Sequence, residues 1–228
     1  IYGNFKKMSL FLVLLAAGEG KRFESTTPKP YHKVNNKTLL ECSISAFSGF
    51  TEIKKTVLVY NKKHKKYLDK IRLKNIIKVT GENTRQGSSF KALKKIKKMN
   101  CKKVLIHDVA RPFPSKKDIY QIIKKLKYNH AVVPIIKATD AVKRVDKNII
   151  FKNIKRGNLR YCQTPQGFSY DKIYKKHKEN INLAFDDDSS LFTNDGEKVL
   201  TINGSKKNIK ITNREDLDIL RSLKKREN

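Results

Sequence analysis

The stretch Val104-Leu105-Ile106-His107-Asp108-Val109-Ala110-Arg111-Pro112 is a short aliphatic run followed by charged residues. The aliphatic residues predict a buried strand, and Pro112 stops it because proline cannot donate a ladder hydrogen bond. Asp108 therefore falls at the carboxyl end of a strand, where open α/β sheets bind their ligands. Asp108 is our candidate metal ligand. The alternative, from this segment alone, is that its carboxylate only caps the following turn.

Similar aliphatic runs recur along the chain and alternate with helical patterns. They predict strands at residues 10–15, 56–60, 76–79, 104–106, 131–136, 198–202 and 209–211. Because strands that alternate with helices form right-handed βαβ units, we predict an α/β fold with a mostly parallel sheet. Near the end, Thr212-Asn213-Arg214-Glu215 has the pattern of a capping box that opens a last helix, through Leu223.

One segment breaks this alternation. Residues 144–151 have the pattern of a strand with a turn, and Arg156-Gly157-Asn158 indicates another turn. We therefore predict a protruding β-hairpin arm at about residues 138–160, of the kind that binds a partner subunit. The arm would belong to a single domain, residues 9–228, and residues 1–8 would be a leader or linker.

The chain is strongly basic. Its 228 residues include 52 Lys and Arg against 21 Asp and Glu, which gives a formal net charge of +31. Such a charge favours polyanionic partners such as nucleotides, nucleic acid or anionic membranes. Lysine pairs spread along the whole chain leave a second explanation open, the codon bias of an AT-rich genome. No helix-turn-helix, zinc-finger or ribonucleoprotein pattern accompanies the charge, so we expect no specific nucleic-acid partner.

Cysteine content and hydropathy indicate the compartment. The three cysteines show no C-x-x-C spacing, which argues against a disulfide framework and against a zinc site. No apolar stretch approaches the roughly 18 residues that indicate a membrane-spanning helix. We therefore predict a soluble cytoplasmic protein without a membrane partner.

A glycine loop follows the first strand. It reads Ala16-Ala17-Gly18-Glu19-Gly20-Lys21-Arg22-Phe23, and glycines in this place let the backbone approach a phosphate closely. The loop is not a dinucleotide fingerprint, because Phe23 stands where a third small residue is needed, and it also fails the Walker pattern. From the residues alone, phosphate binding and a plain glycine turn with solvated cations both remain open.

Six motifs occur together in the order and spacing of one family. They are LAAGEGKR at 15–22, PKPY at 28–31, GENTRQGS at 81–88, LIHDVARP at 105–112, QTPQ at 163–166 and NIKIT at 208–212. Over about residues 10–222 the chain closely resembles the 2-C-methyl-D-erythritol 4-phosphate cytidylyltransferases of the non-mevalonate isoprenoid pathway. The resemblance implies a Rossmann-like nucleotidyltransferase fold and a homodimer formed through the hairpin arm. It also implies transfer of CMP from CTP to a polyol phosphate, with Mg²⁺ or another divalent cation.

The resemblance assigns roles to residues at the matching positions. The charge on the transferring phosphoryl group would be stabilised by Arg22, Lys29 and Lys210. The nucleotide would be bound by Ala16, Ala17, Gly18, Gly20, Gly81, Arg85, Ser88 and Ala110. The acceptor phosphate would be bound by Asp108, Arg111, Asp140, Asp187 and, across the dimer, Arg156. Asp108 would also hold the cation.

Some positions depart from the family's pattern. Ala141 stands where a threonine commonly follows Asp140, and Asp186 stands where a threonine commonly precedes the acidic pair. Pro30 replaces the usual Gln after the lysine, which stiffens the loop. A lost hydroxyl and an added carboxylate weaken phosphate binding unless something compensates. A ribitol 5-phosphate cytidylyltransferase is therefore the alternative function, and a basic nucleic-acid-binding module is a more remote one.

Overall fold

A central sheet with helices on both faces forms the body of the protein. The computed structural model describes residues 9–225, so the predicted leader at residues 1–8 lies outside the described residues. In chain order the strands are β1 (Leu10–Ala16), β2 (Lys33–Val34), β3 (Lys37–Thr38), β4 (Ile53–Tyr60), β5 (Ile76–Thr80), β6 (Lys103–Asp108), β7 (Ala131–Lys137), β8 (Val142–Asp146), β9 (Ile149–Ile154), β10 (Arg160–Cys162), β11 (Gln166–Ser169) and β12 (Leu200–Asn203). The α-helices are α1 (Leu39–Phe47), α2 (Lys65–Leu68), α3 (Arg85–Ile96), α4 (Lys116–Leu126), α5 (Tyr170–Glu179), α6 (Ser190–Thr193) and α7 (Arg214–Lys225). Short 3₁₀ turns lie at Lys21–Phe23, Lys29–Tyr31 and Lys62–His64.

The central sheet confirms the predicted α/β fold, although it contains antiparallel as well as parallel strands. Its order is β10-β7-β11-β6-β1-β4-β5, and β12 pairs with β7. β1 is parallel to both β4 and β6, and β4 is parallel to β5. β11 runs antiparallel between β6 and β7, a reversal that the strand pattern did not predict. Gly167 in β11 lets α4 pack closely, because a Cβ there would lie 2.6 Å from Cγ2 of Ile122.

β1 is buried along its whole length because helices cover both faces of the sheet. Alternate side chains of a strand point to opposite faces. The odd-numbered side chains of β1 accordingly pack in one core with α3, α5 and α6, and the even-numbered ones pack in another with α1, α2 and α4. None of the helices within residues 9–225 has the length and apolar character needed to cross a bilayer.

The carboxyl-terminal part of the chain differs from the prediction. The strand predicted at residues 209–211 is wrong, since these residues lie in an irregular segment between β12 and α7. Their aliphatic pattern reflects burial instead, because Ile211 packs in a small core with Leu217 of α7. The capping box is also shifted by one residue. The N–H of Asp216 donates to Oδ1 of Asn213 at 2.9 Å, and the N–H of Asn213 donates to Oδ2 of Asp216 at 3.0 Å.

The hairpin segment forms its own two-stranded sheet of β8 and β9. Lys147 and Asn148 at its turn both have positive φ, 44° and 70°, which is the pattern of a tight type I′ hairpin turn. Four apolar side chains of this arm are more than half exposed: Val145, Ile149, Ile150 and Phe151. Exposed apolar clusters of this kind mark interaction surfaces, and a role in dimerisation stays a prediction.

A chain of hydrogen bonds fixes the end of β6. The backbone N–H of Asp108 donates to Oγ1 of Thr164 at 3.1 Å, and this hydroxyl lies 3.0 Å from Nδ1 of His107. Nε2 of His107 lies 2.9 Å from the carbonyl oxygen of Arg111. Because a carbonyl only accepts, Nε2 carries the proton, and the hydroxyl of Thr164 donates to Nδ1. Burial lowers the pKa of His107 to about 4, so its ring is neutral near pH 7.

We predict that His107 makes the protein less stable in mild acid. In the unfolded chain this histidine binds a proton below about pH 6.5, whereas in the folded protein it stays neutral down to about pH 4. The free energy of unfolding therefore decreases as the pH falls through this window. The expected loss from His107 is about 2 kcal/mol between pH 7.5 and pH 5. Urea unfolding of the wild type and of His107→Gln at both pH values measures it, because only the wild type carries this contribution. An equal pH dependence in the two proteins would contradict the prediction.

Candidate active site

Asp108 lies at the centre of the candidate site. It ends β6 and is only 7% exposed. Its Oδ1 accepts a hydrogen bond from Nε of Arg85 at 3.0 Å, and its Oδ2 lies 3.0 Å from Nζ of Lys210. Burial alone would raise the pKa of this carboxyl, but Arg85 and Lys210 outweigh burial and hold the pKa of Asp108 well below its usual range. The carboxylate is therefore charged and binds two cations, rather than serving as a turn cap.

Arg85 joins Asp108 to a second buried carboxylate. As the first residue of α3, Arg85 donates through Nη1 to Oδ2 of Asp188 at 2.7 Å. Asp188 is 1% exposed; its Oδ1 accepts from the hydroxyl of Ser89 at 2.7 Å and lies 2.9 Å from Nε2 of His177. Burial opposes the charge of Arg85, but the two carboxylates outweigh it and raise the pKa of the guanidinium. The network holds Arg85 in one orientation.

Sequence patterns did not single out Asp188, which is one of three consecutive aspartates. A helical spacing could have found it, because Asp188 precedes the buried Leu191 and Phe192 by three and four residues. Asp187 was singled out instead. Its Oδ1 accepts from the hydroxyl of Ser189 at 2.8 Å, and its Oδ2 accepts from Nε2 of Gln166 at 2.8 Å.

Lys29 reaches the same place from the loop after β1. Its Nζ donates to the carbonyl oxygen of Ile211 at 3.0 Å, in the segment that carries Lys210. Burial, followed by the positive charges of Lys210 and Arg22, lowers the pKa of Lys29. A neighbouring anion stabilises an ammonium whose charged form is disfavoured in this way. The cations around Asp108 therefore form a site that favours phosphate.

Two cavities contain most of the predicted nucleotide-binding residues. A cavity of about 120 Å³ is lined by Ala16, Gly18, Lys29, Arg85, Asp108 and Ala110, among others. A larger one of about 870 Å³ is lined by Ala17 and Gly81, among others. Gly81 cannot carry a side chain, because its Cβ would lie 2.2 Å from that of Ala17. Ser88 shapes this loop through Oγ, which accepts the N–H of Glu82 at 2.9 Å.

Three predicted site residues on the loops, Gly20, Arg22 and Arg111, do not line either of these two cavities. Gly20 has a φ of 66° and begins the 3₁₀ turn that carries the exposed Arg22. Arg111 is half-buried and braces two backbone segments. Its Nη1 donates to the carbonyl of Asn208 at 2.7 Å, and its Nη2 donates to that of Cys162 at 3.2 Å.

Asp140 and Arg156 lie apart from the two cavities. Asp140 precedes β8, Arg156 follows β9, and both side chains are exposed. The guanidinium of Arg156 donates to the carbonyl of Thr139. Neither residue lines the cavity around Asp108 within the described chain. Their assignment to the acceptor phosphate stays a prediction that requires a second subunit.

The donors around Asp108 fit a divalent cation that arrives with phosphate ligands. Within residues 9–225, no group of three His, Cys, Asp or Glu side chains comes together to hold a metal. Each oxygen of Asp108 faces one cation, and Oδ2 would be more open to a metal if the exposed Lys210 turned away. Mg²⁺ is usually bound by one or two carboxylates together with substrate phosphates and water. A single carboxylate beside a phosphate site meets that requirement.

The chain is similar to known proteins of one family. The family model for IspD, 2-C-methyl-D-erythritol 4-phosphate cytidylyltransferase, matches residues 10–223. The bifunctional enzyme IspD/IspF of Pelagibacter ubique is 43% identical over 210 residues, which cover 92% of this chain and 56% of that protein. The 2-C-methyl-D-erythritol 4-phosphate cytidylyltransferase of Petrotoga mobilis is 33% identical and covers 94% of this chain and 97% of its own length.

The fold is shared as well. The crystal structure of 4-diphosphocytidyl-2C-methyl-D-erythritol synthase from Anaerococcus prevotii matches with a TM-score of 0.82 at 30% identity, over 96% of this chain and 97% of that chain. The chain spans 56% of the length of the bifunctional relatives from Pelagibacter ubique and Paramagnetospirillum magneticum. Because the family model matches residues 10–223, nearly all of the described chain, the chain belongs to the IspD family of 2-C-methyl-D-erythritol 4-phosphate cytidylyltransferases.

Proposed function

We propose that this protein transfers CMP from CTP to 2-C-methyl-D-erythritol 4-phosphate and releases pyrophosphate. The observation that carries the proposal is the pairing of Arg85 and Lys210 with Asp108, with Lys29 in the same cavity, in a chain of this family. This cluster lies at the carboxyl end of β6, beside the parallel strand β1, which is where α/β sheets bind nucleotides. The names of the curated relatives support methylerythritol phosphate, rather than ribitol 5-phosphate, as the acceptor.

The reaction requires positioning and charge stabilisation more than covalent chemistry. The acceptor phosphate attacks the α-phosphorus of CTP in line, and negative charge spreads over the transferring group. Cytosine would bind against Ala17 and Gly81, where backbone groups form a small surface and a Cβ at Gly81 has no room. The triphosphate would then extend along the glycine loop toward Arg22 and Lys29.

Lys29 and Lys210 would stabilise the transferring phosphoryl group from two sides. The lowered pKa of Lys29 supports this role, because an anion in the cavity relieves the burial and cation repulsion that lower it. Lys210, 44% exposed at its side chain, would exchange Asp108 for a phosphate oxygen. Preorganised cations of this kind act on charge that develops in the transition state.

Asp108 would hold Mg²⁺ or another divalent cation once Lys210 has moved. The bound cation would neutralise part of the phosphate charge. Arg85 would keep the carboxylate of Asp108 ionised and oriented during this exchange, since its contacts to Asp188 do not depend on Lys210.

The arm would bring Arg156 and Asp140 to the acceptor site of a second subunit. This homodimer is supported by the exposed apolar side chains of β8 and β9 and by the exposed position of both residues. A two-fold assembly would bury these side chains and complete both sites at once.

The function is tested by measuring pyrophosphate release with each of the four nucleoside triphosphates and each of the two acceptors. We expect release with CTP, methylerythritol phosphate and Mg²⁺ together, and none when any one of them is left out. Equal rates with ribitol 5-phosphate, or no release with either acceptor, would refute the assignment. Magnesium replaced by a chelator is the control for the cation.

Replacing Lys29 or Lys210 by Ala should lower kcat about 10²-fold or more, because each is proposed to stabilise charge that grows in the transition state. The KM for CTP should change much less. The matched control is Lys206→Ala, an exposed lysine on the same segment as Lys210, which should keep kcat. A Lys29→Ala enzyme with a raised KM and an intact kcat would make Lys29 a ground-state binding group only.

Mixing two inactive variants tests whether the arm serves the partner's site. Lys29→Ala and Arg156→Ala homodimers should both be nearly inactive, but after subunit exchange half of the dimers are mixed. In each mixed dimer one site carries both defects and the other carries neither, so about a quarter of wild-type activity should return. If exchange is verified by mass spectrometry and no activity returns, Arg156 does not serve the partner's site.

A further inference from the structure

Lys210 is carried by a segment without regular secondary structure. The segment comprises residues 204–213, between the end of β12 and the start of α7. Since no ladder of backbone hydrogen bonds fixes it, other contacts must set the position of Lys210. Lys206, Lys207 and Lys210 are exposed, whereas Asn208 in their midst is only 1% exposed.

Asn208 is held through both its side chain and its backbone. Its Nδ2 donates to the carbonyl oxygen of Thr164 at 2.9 Å. Its own carbonyl accepts from Nη1 of Arg111 at 2.7 Å and from Nε2 of Gln163 at 3.3 Å. The same Nε2 donates to the carbonyl of Ser205 at 2.9 Å. The buried side-chain amides of Gln163 and Asn208 therefore fix the segment two residues before Lys210.

Thr164 connects Asn208 to Asp108. Its carbonyl binds the side chain of Asn208, and its hydroxyl accepts the backbone N–H of Asp108 at 3.1 Å. One residue thus holds both the strand end that bears Asp108 and the segment that bears Lys210. Beside the bond from the N–H of Ile211 to the carbonyl of Ala110 at 2.7 Å, this common support helps to hold Nζ of Lys210 3.0 Å from Oδ2 of Asp108.

We infer that Asn208 is a positioning residue, which holds Lys210 where it reaches Asp108 in the resting site and the transferring phosphoryl group during the reaction. The inference rests on the proposed function. Asn208 is 1% exposed and its side chain donates to the backbone of Thr164, so it acts through Lys210 and not on the substrate. This gives the Asn-Ile-Lys and Gln-Thr-Pro-Gln motifs one shared task, the alignment of two segments far apart in the chain.

Asn208→Ala in the full chain is the first test. It removes the donor to Thr164, and kcat for CTP-dependent pyrophosphate release should fall about 10-fold or more, since a misplaced catalytic group can cost up to about 10²-fold. The KM for CTP should change less than about threefold, because the glycine loop still binds the ground state.

Asn180→Ala is the matched control. Asn180 is 7% exposed, and its Nδ2 donates to the carbonyl of Lys176 at 3.0 Å. It makes the same kind of buried bond at the end of α5, away from the segment of Lys210. Its kcat should stay within about twofold of the wild type, because sites without shared partners act independently. The melting temperatures of both variants show whether their loss of stability is comparable.

A Lys210→Ala background separates positioning from a general loss of structure. If Asn208 acts through Lys210, adding Asn208→Ala to Lys210→Ala should lower kcat by less than about twofold, since coupled residues are not additive. The inference is overturned if Asn208→Ala lowers kcat by the same factor in the Lys210→Ala background as in the wild type. It is also overturned if the Asn208→Ala enzyme has the wild-type kcat.

A second substitution covers the case in which Asn208→Ala does not fold. Asn208→Leu then takes its place under the same criteria, because leucine has a similar branched shape, adds no buried charge and cannot donate. A wild-type protein that releases no pyrophosphate from CTP and methylerythritol phosphate refutes the proposed function, and this inference with it. Wild-type activity that Asn208→Ala and Asn208→Leu leave intact refutes the inference alone.

Discussion

Asp108 carries its negative charge almost out of contact with water, and the surrounding side chains are arranged around that charge. A buried carboxylate is costly unless cations and hydrogen bonds compensate for the lost water. Arg85 and Lys210 supply that compensation, one at each oxygen. Arg85 is itself held by Asp188, which in turn binds Ser89 and His177. The ion pairs thereby connect the end of β6 to α3, α5 and the segment after β12.

The two partners of Asp108 differ in how firmly they are held. Arg85 binds two carboxylates from the first turn of a helix, whereas Lys210 is half-exposed and binds one carboxylate from an irregular segment. The firmly held cation keeps Asp108 ionised, and under the proposed function the exposed one would exchange partners when an anion enters. Binding and catalytic groups often lie on loops supported by a rigid scaffold, and here buried side-chain amides give the loop the support that a strand ladder would give.

The charge of the site is distinct from the high charge of the chain as a whole. Most of the lysines are exposed, and salt screens their fields over about 10 Å. Lys29 is different because it is partly buried and close to Lys210 and Arg22, which lowers its pKa. Convergence and burial, rather than the total of +31, make this place suited to a phosphate group. The arm shows the opposite character, with apolar side chains exposed on a two-stranded sheet.

The sequence by itself determined the fold class and the family, and most of the nucleotide-binding residues it predicted line the two cavities. Its aliphatic runs are set by the hydrophobic effect and the strand period, so β1, β4, β5, β6 and β7 were predicted, and Asp108 was correctly placed at a strand end. The predicted strand at residues 209–211 was wrong, because burial of Ile211 against α7 gives the same aliphatic pattern as a strand. Only the tertiary structure decided that Arg85 binds Asp108 and Asp188, residues that lie 23 and 103 positions away. The same holds for Thr164, which supports both Asp108 and Asn208. Ion pairs and amide contacts of this kind depend on which segments lie close together in the folded chain. The periodicity of the sequence does not predict that proximity.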